Sequence, residues 1–204
     1  MPDLTLYTNP MSRGRIARWM MEEVGQPYET VYLDYATSMK AKPYLSINPM
    51  GKVPALTHGD RIITEYAAIC AYMADAFPQA GLVPDDRSAY YRWLFFGSGP
   101  LEAAIINTSM GFEVAPDKAG RVGYRPMPYT CDVLEAVLQK QPYLAGDRFS
   151  AADVATGSQI GWGLRFGTLE KRPPFIEYWA RISDRPALKR ANDADDAALP
   201  QHKG

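Results

Sequence analysis

Residues 46–56, Ser46-Ile47-Asn48-Pro49-Met50-Gly51-Lys52-Val53-Pro54-Ala55-Leu56, hold the most specific local chemistry in the chain. Asn48-Pro49 and Met50-Gly51 punctuate the backbone as a tight turn. Val53-Pro54 is an X-Pro bond, where the cis isomer costs only about 0.5–1 kcal/mol, and proline is tolerated at the first residue of a strand. A cis bond there turns the Val53 amide and carbonyl outward, toward whatever lies beyond the strand. Eight residues after Leu56 comes Thr64-Glu65-Tyr66-Ala67-Ala68-Ile69, where a helical pattern begins. The start of a helix has free amides and a positive dipole end, which suit a carboxylate. Glu65 lies in that first turn, where a glutamate ordinarily complements the dipole, and Lys52 is a loop lysine of the kind usually left in solvent.

Asn48-Pro49-x-Gly51-x-Val53-Pro54-Ala55-Leu56, followed at this spacing by Thr64-Glu65-Tyr66-Ala67-Ala68-Ile69, resembles the glutathione site of the cytosolic glutathione transferases. A second match is Gly146-Asp147-Arg148-Phe149-Ser150-Ala151-Ala152-Asp153-Val154. Ser150 with Asp153 three residues on is close to a capping box, worth about 1 kcal/mol, and is read as structural.

The resemblance implies glutathione as co-substrate, no metal, and a small-molecule electrophile as partner substrate. It implies that Val53, beside Pro54, presents its backbone to the cysteinyl unit as an added strand. Glu65 pairs with the ammonium, the tip at Tyr66 holds the γ-glutamyl carboxylate, and Lys52 approaches the glycyl carboxylate. The family's usual residue after the glutamate is serine, so Tyr66 is a departure that leaves the backbone amide to do the binding. The reacting group is a thiolate. Lowering its pKa by two units needs about 2.7 kcal/mol of preferential anion stabilisation. The family's donor lies just after the first strand, here Tyr7-Thr8-Asn9-Pro10-Met11-Ser12-Arg13. Ser12 is the first choice, Asn9 the second and Tyr7 the third. Residue 15 is arginine, so Ser12 lacks a reciprocal cap and its hydroxyl is expected to be free. With no cysteine in the segment, the resemblance is to a bacterial, serine-type active site rather than a cysteine-type one. Met11, Glu102, Ser109, Phe112 and Phe166 are expected to line the pocket for an apolar electrophile in a cleft between two domains. The alternatives are a glutathione-dependent disulfide reductase, peroxidase or dehalogenase on the same fold, or a non-catalytic interaction protein.

These residues need elements to position them. Leu4 to Tyr7 alternates as a strand, and Ile16, Met20 and Val24 recur at helical spacing from Arg13 to a Gly25-x-Pro27 stop. Tyr28 to Leu33 reads as a second strand, so the unit is β-α-β with parallel pairing. A short helix is expected over Lys40 to Leu45. Pro54 to Leu56 and Arg61 to Ile63 make a hairpin, and a helix follows from Thr64. The resemblance implies an α/β thioredoxin-like domain over residues 1–76, a linker over 77–87 and an all-α domain over 88–204. In the latter, Ser88 to Met110 is one long helix kinked at Gly97, Gly99 and Pro100. Helices are also expected at Cys131 to Gln139, from Ser150, and at Phe175 to Ser183, and Asn192 to Gly204 reads as a frayed tail.

The 204 residues are 47 % apolar, a globular composition. The net charge of −1, from 22 basic and 23 acidic side chains, gives no basic excess for nucleic acid or an anionic membrane surface. No apolar run nears the roughly 18 residues of a membrane helix, and Met1-Pro2-Asp3 lacks a signal peptide's basic region. A cytoplasmic location is expected. Cys70 and Cys131 sit in apolar helical patterns as packing residues. The resemblance also implies a homodimer, and a role in detoxification.

Overall fold

The computed structural model describes residues 3–199. Contacts divide the chain into two units. One takes residues up to Ala80 together with those from Asp184 on, and the other takes Gly81–Ser183.

The first unit begins with β1 (Leu4–Thr8), α1 (Gly14–Val24) and β2 (Glu29–Tyr32). A 3-10 turn (Ser38–Lys40) and a one-turn helix, α2 (Lys42–Leu45), occupy the stretch expected as a short helix. The hairpin β3 (Ala55–His58) and β4 (Arg61–Thr64) follows, then α3 (Tyr66–Ala76). The sheet order is β2-β1-β3-β4, with β1 parallel to β2 and antiparallel to β3. This is the expected thioredoxin-like arrangement. α1 forms because Ile16, Ala17, Trp19, Met20 and Val24 bury one face. It stops at Gly25, which takes φ 70 and donates to the Met21 carbonyl. A Cβ at Gly14 would fall 1.9 Å from Thr8 Oγ1, so glycine lets the helix start against the end of β1.

The polar tail is a correction. Residues 186–198 form a helix, α9 (Pro186–Ala198), packed on α1. Its inward positions Ala187, Leu188, Ala191, Asp195 and Ala198 keep helical spacing, and Pro186 stands at its start. The acidic residues that suggested fraying are tied down. Asp195 accepts from Arg18 Nε at 2.8 Å, and Asp196 pairs with Arg15 at 2.5 Å. Arg185 reaches Glu23 at 2.6 Å, and Arg190 reaches Glu22 at 2.8 Å. By its contacts the last helix belongs with the first unit, whereas the expected all-α domain spans residues 88–204. Residues 200–204 of the expected tail lie outside the described ones.

The second unit is helical. α4 (Arg87–Phe96) is capped by Asp86, whose carboxylate accepts from the Ser88 and Ala89 amides. The expected kink falls where Pro100 denies an amide, as a π-helical turn over Gly97–Leu101, before α5 (Glu102–Ser109). A 3-10 stretch (Pro116–Arg121) lies in the segment read as loop, followed by α6 (Met127–Leu138), α7 (Ala151–Phe166) and α8 (Pro173–Ser183). α7 is buried from Ala151 to Gly161. Its entry is held by Asp153, which closes a reciprocal cap with Ser150. Oδ2 accepts from the Ser150 amide (2.9 Å) and hydroxyl (3.0 Å). Oδ1 accepts from the Leu144 amide and the Tyr178 hydroxyl, both at 2.8 Å. One carboxylate thus ties α7 to the loop before it and to α8. No helix among the described residues is long and apolar enough to cross a membrane.

Candidate functional site

The sheet register brings the candidate residues of the first unit to one end. Thr8 pairs with Tyr32, Tyr7 with Ala55, and Ala55 with Thr64. With adjacent strands about 4.8 Å apart, the segments leaving β1, leaving β2, entering β3 and leaving β4 emerge side by side. These are residues 9–13, 33–35, 52–54 and 65–66.

At the β3 entrance Val53-Pro54 is cis, as expected. Among the described residues neither the amide nor the carbonyl of Val53 has a hydrogen-bond partner. The loop before it is braced. The Tyr44 hydroxyl and the Asn48 side-chain Nδ2 (2.8 Å) both donate to the Lys52 carbonyl. Burial pushes the Tyr44 phenol up to about 12, so it keeps its proton for that bond. Gly51, at φ 59, passes so close to Met39 that a Cβ would fall 2.9 Å from its carbonyl oxygen. The Lys52 side chain is exposed, and Lys40, which the sequence reading did not single out, donates to the Gly51 carbonyl at 2.7 Å. The Lys40 ammonium, coming from the 3-10 turn, thus lies against the loop that carries Lys52.

At the β4 exit the helix starts at Tyr66, two residues later than expected. Glu65 is the N-cap of α3 rather than part of its first turn, and it holds φ 69 and ψ 120. It is the one non-glycine residue with positive φ among those described. Such a conformation costs on the order of 1–3 kcal/mol and persists where the surroundings impose it. The side chain is exposed and its carboxylate takes no partner among the described residues. Tyr66 is 5 % exposed, so its ring packs inward and the tip of α3 offers backbone amides.

At the β1 exit the three donor candidates part company. Asn9 is fully buried. Its Nδ2 donates to the Leu33 carbonyl at 2.8 Å and its Oδ1 accepts from the Met11 amide at 2.9 Å, which stitches the β1 exit to the β2 exit. The Tyr7 ring packs 5.7 Å from that of Tyr44, against a cluster of Leu33, Met39, Tyr44 and Ala55. Ser12 is half-buried at the start of α1. The expectation of a free Ser12 hydroxyl is corrected: it donates to the Asn9 carbonyl at 2.7 Å and accepts from the Gly14 amide at 2.9 Å. A serine ahead of a helix finds local backbone partners without a glutamate to reciprocate.

One residue here escaped the sequence reading. Tyr35, three residues past β2, donates its hydroxyl to the Met11 carbonyl at 3.1 Å. Burial raises this phenol, while the charge of Arg13 and the hydroxyl of Ser12 pull the other way. No motif marks Tyr35; its proximity follows from the parallel β1–β2 pairing.

Of the expected second-substrate residues, Met11 belongs to the first unit and Glu102, Ser109, Phe112 and Phe166 to the second. Met11 is exposed on the turn before α1. Within the helical unit, Glu102 accepts from Gln159 at 3.3 Å, and Ser109 donates to the Ile106 carbonyl at the end of its own helix. Phe166 is exposed at the end of α7, with Arg165 over its ring. Of these residues only Phe112 lines the cavity of about 680 Å³ in that unit, together with Asn107, Tyr124, Met127 and Tyr129.

In the first unit, then, an unpaired backbone edge, a helix tip beside an unpartnered carboxylate, and two lysines share one sheet end. That set can grip an extended peptide bearing both an ammonium and carboxylates. The glutathione S-transferase N-terminal domain profile matches residues 2–75, and the C-terminal domain profile matches residues 130–186. Glutathione S-transferase F10 of Arabidopsis thaliana is 32 % identical over 209 aligned residues, covering 93 % of this chain and 96 % of that protein. A glutathione transferase from Methylococcus capsulatus superposes with a TM-score of 0.76 at 27 % identity, covering 95 % of this chain and 99 % of that one. A Sulfitobacter homologue solved with bound glutathione gives a TM-score of 0.75 at 27 % identity, with the same coverage. With profiles matching in both halves and a relative aligned along nearly its whole length, the chain belongs to the glutathione S-transferase family.

Proposed function

We propose that this protein is a serine-type glutathione transferase, joining the glutathione thiolate to an apolar electrophile. The observation that carries the reading is the pairing of an unpartnered Val53 backbone with an unpartnered, conformationally forced Glu65 at one sheet end. Val53 adds the cysteinyl unit as a strand. Glu65 takes the ammonium, the amides of the α3 tip take the γ-glutamyl carboxylate, and Lys52, with Lys40 beside it, faces the glycyl carboxylate. Ser12 turns its proton from the Asn9 carbonyl to the sulfur. The thiol proton leaves to water, the thiolate forms a bond to an electrophilic carbon, and the leaving group departs with its electron pair.

Two facts favour conjugation over the disulfide reductase reading. The segment at the start of α1 has no cysteine. Cys70 and Cys131 are both buried, and burial pushes their thiols up, away from the reactive thiolate. As in the family at large, we place the enzyme in the cytoplasm as a detoxifying homodimer. The test is a conjugation assay with an aryl halide, alongside a mixed glutathione disulfide. Turnover of the halide and not of the disulfide is expected; the opposite preference, or neither on a protein that binds glutathione, overturns the proposal.

A further inference from the structure

Two hydroxyl groups, not one, stand at the mouth of α1. The parallel register that pairs Thr8 with Tyr32 sends residues 9–12 and 33–35 out of the sheet side by side. The Leu33 amide donates to the Thr8 carbonyl at 2.9 Å, and Asn9 Nδ2 donates to the Leu33 carbonyl at 2.8 Å, so the two segments are fixed to each other. The ring of Tyr35 packs against the Leu33, Met39, Tyr44 and Ala55 cluster, and so does Val53. The phenol is therefore referenced to the same apolar cluster as the backbone edge that receives the cysteinyl unit.

Hydrogen-bond lengths separate the two donors. The Ser12 proton sits in a 2.7 Å bond to the Asn9 carbonyl, at the favoured O–H···O distance. The Tyr35 proton sits in a 3.1 Å bond to the Met11 carbonyl, beyond the usual range. Turning Tyr35 toward a ligand gives up the weaker of the two bonds. A phenol, with an ordinary pKa near 10, is also the more acidic hydroxyl and the stronger donor to an anion. Tyr35 is half-buried, so a ligand can reach it. Burial keeps the phenol protonated at neutral pH, as a donor must be, and Ser12 and Arg13 beside it temper that rise.

We propose that Tyr35 is a catalytic residue, whose hydroxyl donates a second hydrogen bond to the sulfur of bound glutathione and stabilises the thiolate alongside Ser12. The inference rests on the glutathione reading above. The phenol keeps its proton throughout, and the thiol proton goes to solvent.

The experiment uses the full chain, its Tyr35→Phe variant, which keeps the packed ring, and Ser12→Ala. Glutathione affinity is measured by calorimetry, and the bound thiol is titrated by its ultraviolet thiolate absorbance. Tyr35→Phe is expected to leave affinity within about twofold while raising the apparent thiol pKa by about one unit, an about threefold loss of thiolate near neutrality that approaches about tenfold in acid. The acid limb of kcat/KM should move to higher pH in step, so that activity recovers in alkaline buffer. A purely packing role would lower affinity or melting temperature and leave the thiol titration in place; that result overturns the proposal. Glutathione binding by the parent with an unmoved thiol pKa in Tyr35→Phe overturns Tyr35 alone, whereas no binding by the parent overturns both readings.

Discussion

Replacing Asp195 with alanine should cost far more than its place near the chain's end suggests. The Arg18 guanidinium is 3 % exposed and Asp195 is fully buried, with Nε 2.8 Å from Oδ1. Arg18 spends its other donors on neutral hydroxyls, Tyr28 at 3.2 Å, Thr30 at 3.3 Å and Tyr32 at 3.0 Å. Those hydroxyls solvate the cation but do not neutralise it. Removing Asp195 strands a buried positive charge, a loss of about 3–5 kcal/mol. For a chain of this size each kcal/mol moves the melting temperature by about 2–4 °C, so the fall should be about 6–20 °C. Burial raises the carboxyl of Asp195 even with Arg18 against it, which marks the pair as expensive to bury. The double variant Arg18→Met with Asp195→Leu should therefore recover most of the loss. Lys189→Ala, which breaks the exposed pair to Asp193, should cost under about 1 kcal/mol. The assay is thermal and urea unfolding of the four proteins. If Asp195→Ala behaves like Lys189→Ala, the view of α9 as an integral part of the first unit is wrong. Because α9 braces α1, whose start carries Ser12, the same variant should also blunt conjugation.

Other consequences can be checked separately. Ser12→Ala should lower turnover at neutral pH by about tenfold or more through lost thiolate; turnover within about twofold of the parent rules Ser12 out as a donor. Glu65→Gln should weaken glutathione binding by about 1.5–3 kcal/mol, the worth of a hydrogen bond to a charged group, with little change in melting temperature; calorimetry and a melt decide it. Asp153→Ala should destabilise the helical unit severely, because four donors lose a buried acceptor. Burial raises the Asp153 carboxyl, so its protonation stabilises the fold most at and below the unfolded value near 4. That contribution is lost as pH rises through the raised folded value. The unfolding free-energy gap between parent and Asp153→Ala should therefore narrow from pH 4 toward neutrality; a gap that widens contradicts the assignment.

Much of the first unit was legible because its signals are local. Alternation marks Leu4 to Tyr7, and the Gly25-x-Pro27 stop closes α1. Val53-Pro54 and Glu65 were found because their motif spans a few residues. What escaped depends on partners far away in the chain. α9 looked like a solvated acidic tail because Asp195 and Asp196 are read as surface residues until Arg18 and Arg15 are placed beside them. The Ala187, Leu188, Ala191 and Ala198 spacing was the available signal. The bonded state of the Ser12 hydroxyl and the approach of Tyr35 likewise depend on side-chain partners and on the exact β1–β2 register, which the expected parallel pairing alone does not supply. The second-substrate residues rest on type alone, and of them Phe112 lines the cavity of the helical unit.

On the proposed function, the Val53 edge and the α3 tip jointly bind glutathione. The most direct measurement is calorimetric titration of the parent protein with reduced glutathione, repeated with Glu65→Gln. A saturable heat at or below millimolar glutathione, weakened by the substitution, is the predicted result. No heat at millimolar concentrations, or binding indifferent to Glu65, rules out this glutathione site.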